Sequence, residues 1–173
     1  STITDNDTVA IAFDAATSGT TEASAPTHAV ALGLTFTTDG VGVAGDAELD
    51  RAVSVNVTRS GGTATDGTDH TAIGTQTLTF AIGSTAATTQ DASFTVTNDR
   101  LVEGDETVLL DVVLNTDGTG GQASLGATDE HTSTITDNDT VAIAFDAATS
   151  GTTEASAPTH AVALGLTFTT DGV

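Results

Sequence analysis

Apolar side chains alternate with Thr, Ser and Asn along most of the chain, the period-two pattern of strands that bury one face. The alternation is cleanest over 51–59, where Val53, Val55 and Val57 face one way and Ser54, Asn56 and Thr58 the other. Thr77-Leu78-Thr79-Phe80 and Ser93-Phe94-Thr95-Val96 repeat it. The pattern predicts strands at Thr8–Asp14, Thr27–Thr37, Arg51–Arg59, Gln76–Ile82, Asp91–Thr97, Thr107–Asn115 and His131–Thr136. Between them lie Thr38-Asp39-Gly40, Ser60-Gly61-Gly62 and Thr116-Asp117-Gly118, where glycine supplies positive φ and aspartate bonds nearby backbone. Gly42–Asp50 is the longest helix candidate, but it is short and broken by glycine and reads as loop or one turn. Pro26 and Pro158 each precede a strand, which suits a strand entry or an edge. Seven short strands of this kind predict an all-β antiparallel sandwich.

Residues 1–41 recur unchanged as residues 133–173, an offset of 132 residues. Fold constraints tolerate many side chains, so identity over that length marks a recently duplicated unit about one domain long. The chain then divides into the end of a preceding unit (1–7), a complete unit (8–139) and the opening of the next identical one (140–173), as expected of a piece of a long tandem array. Segments 8–41 and 140–173 are alternative complements to one body, 42–139. One copy must find another partner, and identical sequences do not say which. Intermolecular strand pairing through 140–173 is expected, because unpaired strand edges are templates for association.

Charge narrows the function. The chain carries 24 Asp and Glu against 3 Arg and no Lys, a formal net charge of −21 over 173 residues. Such a field disfavours nucleic acid and anionic membrane surfaces as partners. Almost none of the carboxylates can find a basic partner within the chain, so cations from solvent must offset them. There is no Cys, Met, Trp or Tyr, which removes disulfides, thiolate metal sites and cysteine nucleophiles. With 38% hydrophobic residues and a mean hydropathy of +0.08 the chain is too apolar for a disordered acidic tail. No apolar run approaches the roughly 18 residues of a membrane span, so no membrane insertion is expected. Ser1-Thr2-Ile3-Thr4 lacks the features of a signal peptide.

The acids cluster at predicted strand ends. Asp5-Asn6-Asp7 and its copy Asp137-Asn138-Asp139 join one unit to the next. Asn98-Asp99-Arg100 with Glu103, Asp105 and Glu106 lies between the fifth and sixth predicted strands, and Glu22 (copy Glu154) precedes the second. Oxygen-only ligands in flexible loops match hard cations, Ca²⁺ above all, which takes about 6–8 oxygens. The alternative is a solvated acidic rim that keeps a repetitive protein in solution. A junctional Asp-x-Asp can draw ligands from both neighbouring units, which favours the ion. Catalytic patterns are absent or poor: His28, His70, His131 and His160 stand in no metal-binding spacing, and no G-x-S-x-G is present. Asp66-Gly67-Thr68-Asp69 opens like an EF-hand loop, yet its twelfth position is Thr77 rather than Glu. No enzyme is expected.

Four blocks together resemble a known family. They are Gly61-Gly62-Thr63-Ala64-Thr65-Asp66-Gly67-Thr68-Asp69-His70-Thr71-Ala72, then Thr77-Leu78-Thr79-Phe80, then Phe94-Thr95-Val96-Thr97-Asn98-Asp99 with Val102-Glu103-Gly104-Asp105-Glu106-Thr107, and Ser133-Thr134-Ile135-Thr136-Asp137-Asn138-Asp139. In order and spacing they are similar to a Calx-β domain over roughly residues 8–139. The resemblance implies a seven-strand, immunoglobulin-like Greek-key sandwich with a Ca²⁺ cluster at one end. It places the ligands at Glu22, Asp99, Glu103, Asp137 and Asp139, with amide oxygens from Asn98 and Asn138 and the repeat equivalents Asp5, Asp7 and Glu154. Gly61, Asn98 and Asn138 stand where many members have acids, which implies fewer or weaker ions than in the eukaryotic exchanger sensors. His70 replaces the family's usual aromatic and reads as a packing substitution. Bacterial members form long arrays in giant repeats-in-toxin surface adhesins, which implies an extracellular, Ca²⁺-stabilised extender whose partners are its neighbouring identical repeats. A carbohydrate- or protein-binding module with Ca²⁺-organised loops is the alternative.

Overall fold

The computed structural model describes residues 6–39, 47–154 and 158–171; Asp5 and residues 42–46 of the predicted loop lie outside them. Every described element is a strand. The seven expected strands are present as β1 (Thr8–Phe13), β3 (Thr27–Thr37), β4 (Val53–Gly61), β5 (Gln76–Phe80), β6 (Gln90–Thr95), β7 (Glu106–Asp117) and β9 (Glu130–Thr136). Between them lie β2 (Thr17–Thr21) and β8 (Ala123–Leu125), and β10 (Thr140–Phe145) and β11 (Leu164–Thr169) follow. The first nine build a sandwich of two sheets, in the orders β6-β3-β1-β8 and β2-β9-β7-β4-β5.

The expectation of seven antiparallel strands is corrected in two respects. Among the described residues there are nine strands up to Thr136, and β1–β8 and β2–β9 pair in parallel. The cause is one geometric event at each end of the unit. The opening segment changes sheets between Phe13 and Thr17, and the closing segment does the same between Leu125 and Glu130. Each long segment thus becomes two short strands, and the first of the unit lies beside the last, running the same way.

The faces turned inward are those the alternation predicts. Val53, Val55 and Val57 are fully buried and meet Val9, Ile11, Phe13, Leu32 and Leu34 of the facing sheet, with Phe80, Phe94, Val108, Leu110 and Ile135 closing the core. Burying a side chain of this size stabilises by about 1.5–3 kcal/mol. A polar tie crosses between the sheets where β2 meets β3. His131 Nδ1 donates to the Ala15 carbonyl (2.6 Å), which leaves Nε2 to accept the Ser18 hydroxyl (2.7 Å). Ser18 Oγ has then used its proton and accepts Nε2–H of His28 (2.7 Å). Burial, and then the neighbouring His131, hold the His28 pKa below the ordinary value.

Two poles follow from the strand directions. β7 starts at Glu106 beside the end of β9, with Glu106 paired to Ile135. It ends near the Asp117–Gln122 turn, where Val9 N–H donates to the Gln122 carbonyl (3.0 Å). The chain therefore enters a unit at one pole and leaves at the other. β10 and β11 form a separate two-stranded sheet in the register of β1 and β3: Thr140 pairs with Thr169 as Thr8 pairs with Thr37. The first copy, not the second, completes the sandwich.

Candidate metal centre

The pole from which β9 exits gathers acids from four separate stretches. Glu22 follows β2 directly; its N–H donates to the Thr136 carbonyl (3.2 Å), which continues the parallel pairing with β9. A tight turn holds it there, closed by Ala25 N–H to the Glu22 carbonyl (2.9 Å), with Ser24 and Ala25 both at positive φ, 67° and 47°. Such left-handed non-glycine residues cost about 1–3 kcal/mol each and persist where the surroundings dictate them. Asp69 comes from the β4–β5 connection, where Thr97 N–H donates to its carbonyl (2.9 Å). Gly62 makes that connection possible: at φ +110° it passes so close to the Thr107 carbonyl that a Cβ would collide with it. Asp99 and Glu103 lie in the β6–β7 connection and Glu106 opens β7. Asp137 follows β9; its Oδ2 accepts Glu103 N–H (2.6 Å) and its Oδ1 accepts Asp139 N–H (2.7 Å).

The carboxyl oxygens of Asp69, Glu103 and Glu106 come within 4.8 Å of one another. Electrostatics records the crowding. Glu22, only 5% exposed, has its pKa pushed up to about 7, first by burial and then by Asp137, Asp99, Glu103 and Asp139. Glu106 is pushed up to about 7 by burial, by a hydrogen bond with Asp69 and by the charges of Asp69, Glu103 and Asp99. Burial and the charges of Asp69, Asp99 and Asp137 raise Glu103 in the same direction. Glu22 Oε2, Asp139 Oδ2, Asn98 Oδ1 and Asn138 Oδ1 are buried with no hydrogen-bond partner. Buried acceptors without donors cost several kcal/mol unless positive charge meets them. An all-oxygen donor set with orphaned acceptors fits a hard divalent cation.

Glu22, Asn98, Asp99, Glu103, Asp137, Asn138 and Asp139 of the expected ligand set thus share one pole. Asp7 and Glu154 do not join them. Asp7 lines a small cleft with Phe36, Leu49 and Thr119 at the opposite pole, Asp5 lies outside the described residues, and Glu154 is exposed in the second copy. Asp69 and Glu106 were not among the expected ligands. In the sequence Asp69 reads only as the opening of an EF-hand-like loop, and Glu106 lies three residues beyond the expected ligand Glu103 in the same Val-Glu-Gly-Asp-Glu-Thr block. His70 is fully buried, its ring centroid 5.4 Å from that of Phe94, and Nδ1 donates to the Thr71 carbonyl (2.9 Å).

The sandwich, its acidic pole and the sequence blocks define one class of module. The chain belongs to the Calx-beta domain family, which matches residues 5–139. Its fold is similar to that of the apo-form Calx CBD1 domain (TM-score 0.58, 20% identity, covering 76% of this chain and 98% of that one). It is also similar to the Calx CBD2 domain (0.55, 13%, 74% and 86%). The calcium binding domain CBD12 of CALX1.1 matches at 0.54 and 22% identity, over 73% of this chain and 44% of that one. No curated protein sequence matches.

Proposed function

We propose that this chain is a Ca²⁺-stabilised structural extender: one unit and the start of the next from a tandem array on a bacterial cell surface, carrying a distal adhesive domain outward. The observation that carries this reading is the acidic pole, where buried carboxylates lie at the exit point of a unit, at the start of a 41-residue stretch that recurs without change. Similarity to a calcium binding domain supports the choice of ion. Glu22, Asp69, Asp99, Glu103, Glu106 and Asp137 hold it, and bound Ca²⁺ supplies the positive charge that offsets their repulsion. Occupancy ties the β4–β5 and β6–β7 connections to the end of β9, and so fixes the direction in which the chain enters the next unit. At free Ca²⁺ about ten times Kd each ion stabilises the folded state by about 1.4 kcal/mol. The 12 residues of β7 make a unit about 40 Å long, so length grows in proportion to copy number. The apolar face of β10–β11 docks the equivalent body of the following unit.

Chelation tests this. In Ca²⁺ the chain melts higher and scatters X-rays as a stiffer, longer particle than in EGTA; unchanged melting and unchanged small-angle scattering would sink the ion-stiffened extender.

A further inference from the structure

β10 and β11 turn to solvent the apolar face that β1 and β3 bury. Ile143, Phe145, Leu164 and Leu166 are exposed, while their counterparts one repeat earlier lie in the core. The hairpin is nonetheless set: Thr140–Phe145 pair with Leu164–Thr169 in the register of the buried copy. Its edge is open as well. Thr27–Leu32 pair with Gln90–Thr95 of β6, whereas the equivalent residues 159–163 lie in no strand. What covers this face is visible in the same molecule, because the identical sequence 8–37 is seated on the body formed by β4–β9, along the edges of β6, β8 and β9.

The covering body cannot be the one that precedes this hairpin in the chain. The site of β1 starts at the entry pole, where Val9 lies beside Ala123, and β9 ends at the exit pole, where Ile135 lies beside Glu106. β7 joins the two poles with 12 residues, about 40 Å. Only residues 137–139 separate Thr136 from Thr140, a reach of about 14 Å at full extension. The parallel placement of first and last strands thus holds the next hairpin away from the body just completed. Identical repeats need that safeguard, since their sequence does not distinguish the two hairpins. Exchange between two intact molecules gains nothing either: each has one body and two hairpins, so swapping fills no further body and costs the freedom lost on association.

We propose that the β10–β11 hairpin completes the body of a second copy of this chain whose own β1–β3 hairpin has been displaced. An opened body exposes its inner apolar faces and the edges of β6, β8 and β9 together, and a hairpin already paired in the right register fits all of them at once. The donor is tethered at its own exit pole and its hairpin enters the acceptor from the entry pole. The contact is therefore head-to-tail and repeats from molecule to molecule. It shares with the extender reading the docking of this hairpin on a body, but not the ion. In an array, a unit that opens offers a free hairpin and an open body, and an opened unit of a neighbouring array is complementary to both.

Sedimentation velocity over a concentration series, with circular dichroism on the same samples, tests this on whole chains. Ile11→Asp sets a carboxylate in the core and expels the first hairpin, while the second keeps its sequence. The unmodified chain and Ile143→Asp, the same change one repeat later, are expected to sediment at the mass of one chain, 17.1 kDa. Ile11→Asp should keep its β spectrum and shift to at least twice that mass as concentration rises. The double variant, Ile11→Asp with Ile143→Asp, has no intact hairpin and should lose both the spectrum and the shift. Adding the unmodified chain, whose body is filled and whose second hairpin is free, should then give a one-to-one complex. Ile11→Asp that stays at the mass of one chain at every concentration, folded or unfolded, overturns the proposal. So does a double variant that associates as Ile11→Asp does, or one that captures no unmodified chain.

Discussion

Residues 8–37 and 140–169 are the same sequence in two surroundings. Their strands pair in the same register, Ser18 and Ser150 make the same bond to His28 and His160 (2.7 and 2.8 Å), and Asp14 and Asp146 crowd Gly33 and Gly165 alike. These features are local, and they need nothing beyond the segment. Burial and strand length differ. Ile11 is 0% and Phe13 2% exposed; Ile143 and Phe145 are 68% and 65% exposed. β3 runs 11 residues and β11 only 6, because Thr27–Ala31 owe their strand state to β6 and only Leu32–Thr37 pair with β1. β2 has no counterpart near 149–153, since its pairing is with β9. A hairpin fixes its own register, while its length, its third strand and its core come from the body it docks on.

The largest test of that contrast is the same deletion at both sites. Ile11→Ala should lower unfolding free energy by about 2–5 kcal/mol, as buried aliphatics do. Ile143→Ala should change it by less than about 0.5 kcal/mol. Denaturant unfolding followed by circular dichroism decides, and equal effects would mean that the second copy is buried in solution, by self-association.

Next comes the glutamate pair. Without Ca²⁺ the folded chain holds the Glu22 proton up to about pH 7, whereas the unfolded chain loses it near 4.5. Folded protein then binds more protons across that window, so stability falls as pH rises from 4.5 to 7 and levels off above. Glu22→Gln should flatten this fall and stabilise the ion-free protein at pH 8 by about 2 kcal/mol, yet lower its melting temperature in Ca²⁺. Glu154→Gln should do neither. Melting curves from pH 4 to 8, in EGTA and in Ca²⁺, check it.

The smallest effect concerns the serine that ties the sheets. Ser18→Ala leaves His131 Nε2 without its donor and should cost about 1 kcal/mol. Ser150→Ala, where no second histidine is bonded, should be silent in the same unfolding measurement.

The same divide explains what could be read in advance. The valines of β4 and the phenylalanines of β5 and β6 announce their strands because one strand's alternation is enough to show its buried face. Thr17-Ser18-Gly19-Thr20-Thr21 has no apolar residue, so its strand state is invisible until β9 lies beside it. Asp99, Glu103 and Asp137 stand in recognisable blocks, whereas Glu22 shows in the sequence only as an acid shortly before a predicted strand. Asp69 could not be placed, because it reaches the pole through a turn that Gly62 brings against β7, a contact between residues more than forty apart in sequence.

The parallel pairing of the first and last strands also sets how a unit bears load. A pull applied to the two ends of the unit would draw β1 and β2 toward one pole and β8 and β9 toward the other. Val9–Ile11 slide against Ala123–Leu125, and Thr17–Thr21 against Thr132–Thr136, with the hydrogen bonds across the direction of force. These rungs are loaded together in shear instead of opening one after another as in a peeled hairpin. The segments that carry tension into and out of each unit are therefore clamped to each other, and the rest of the sandwich is spared the load until that clamp gives way.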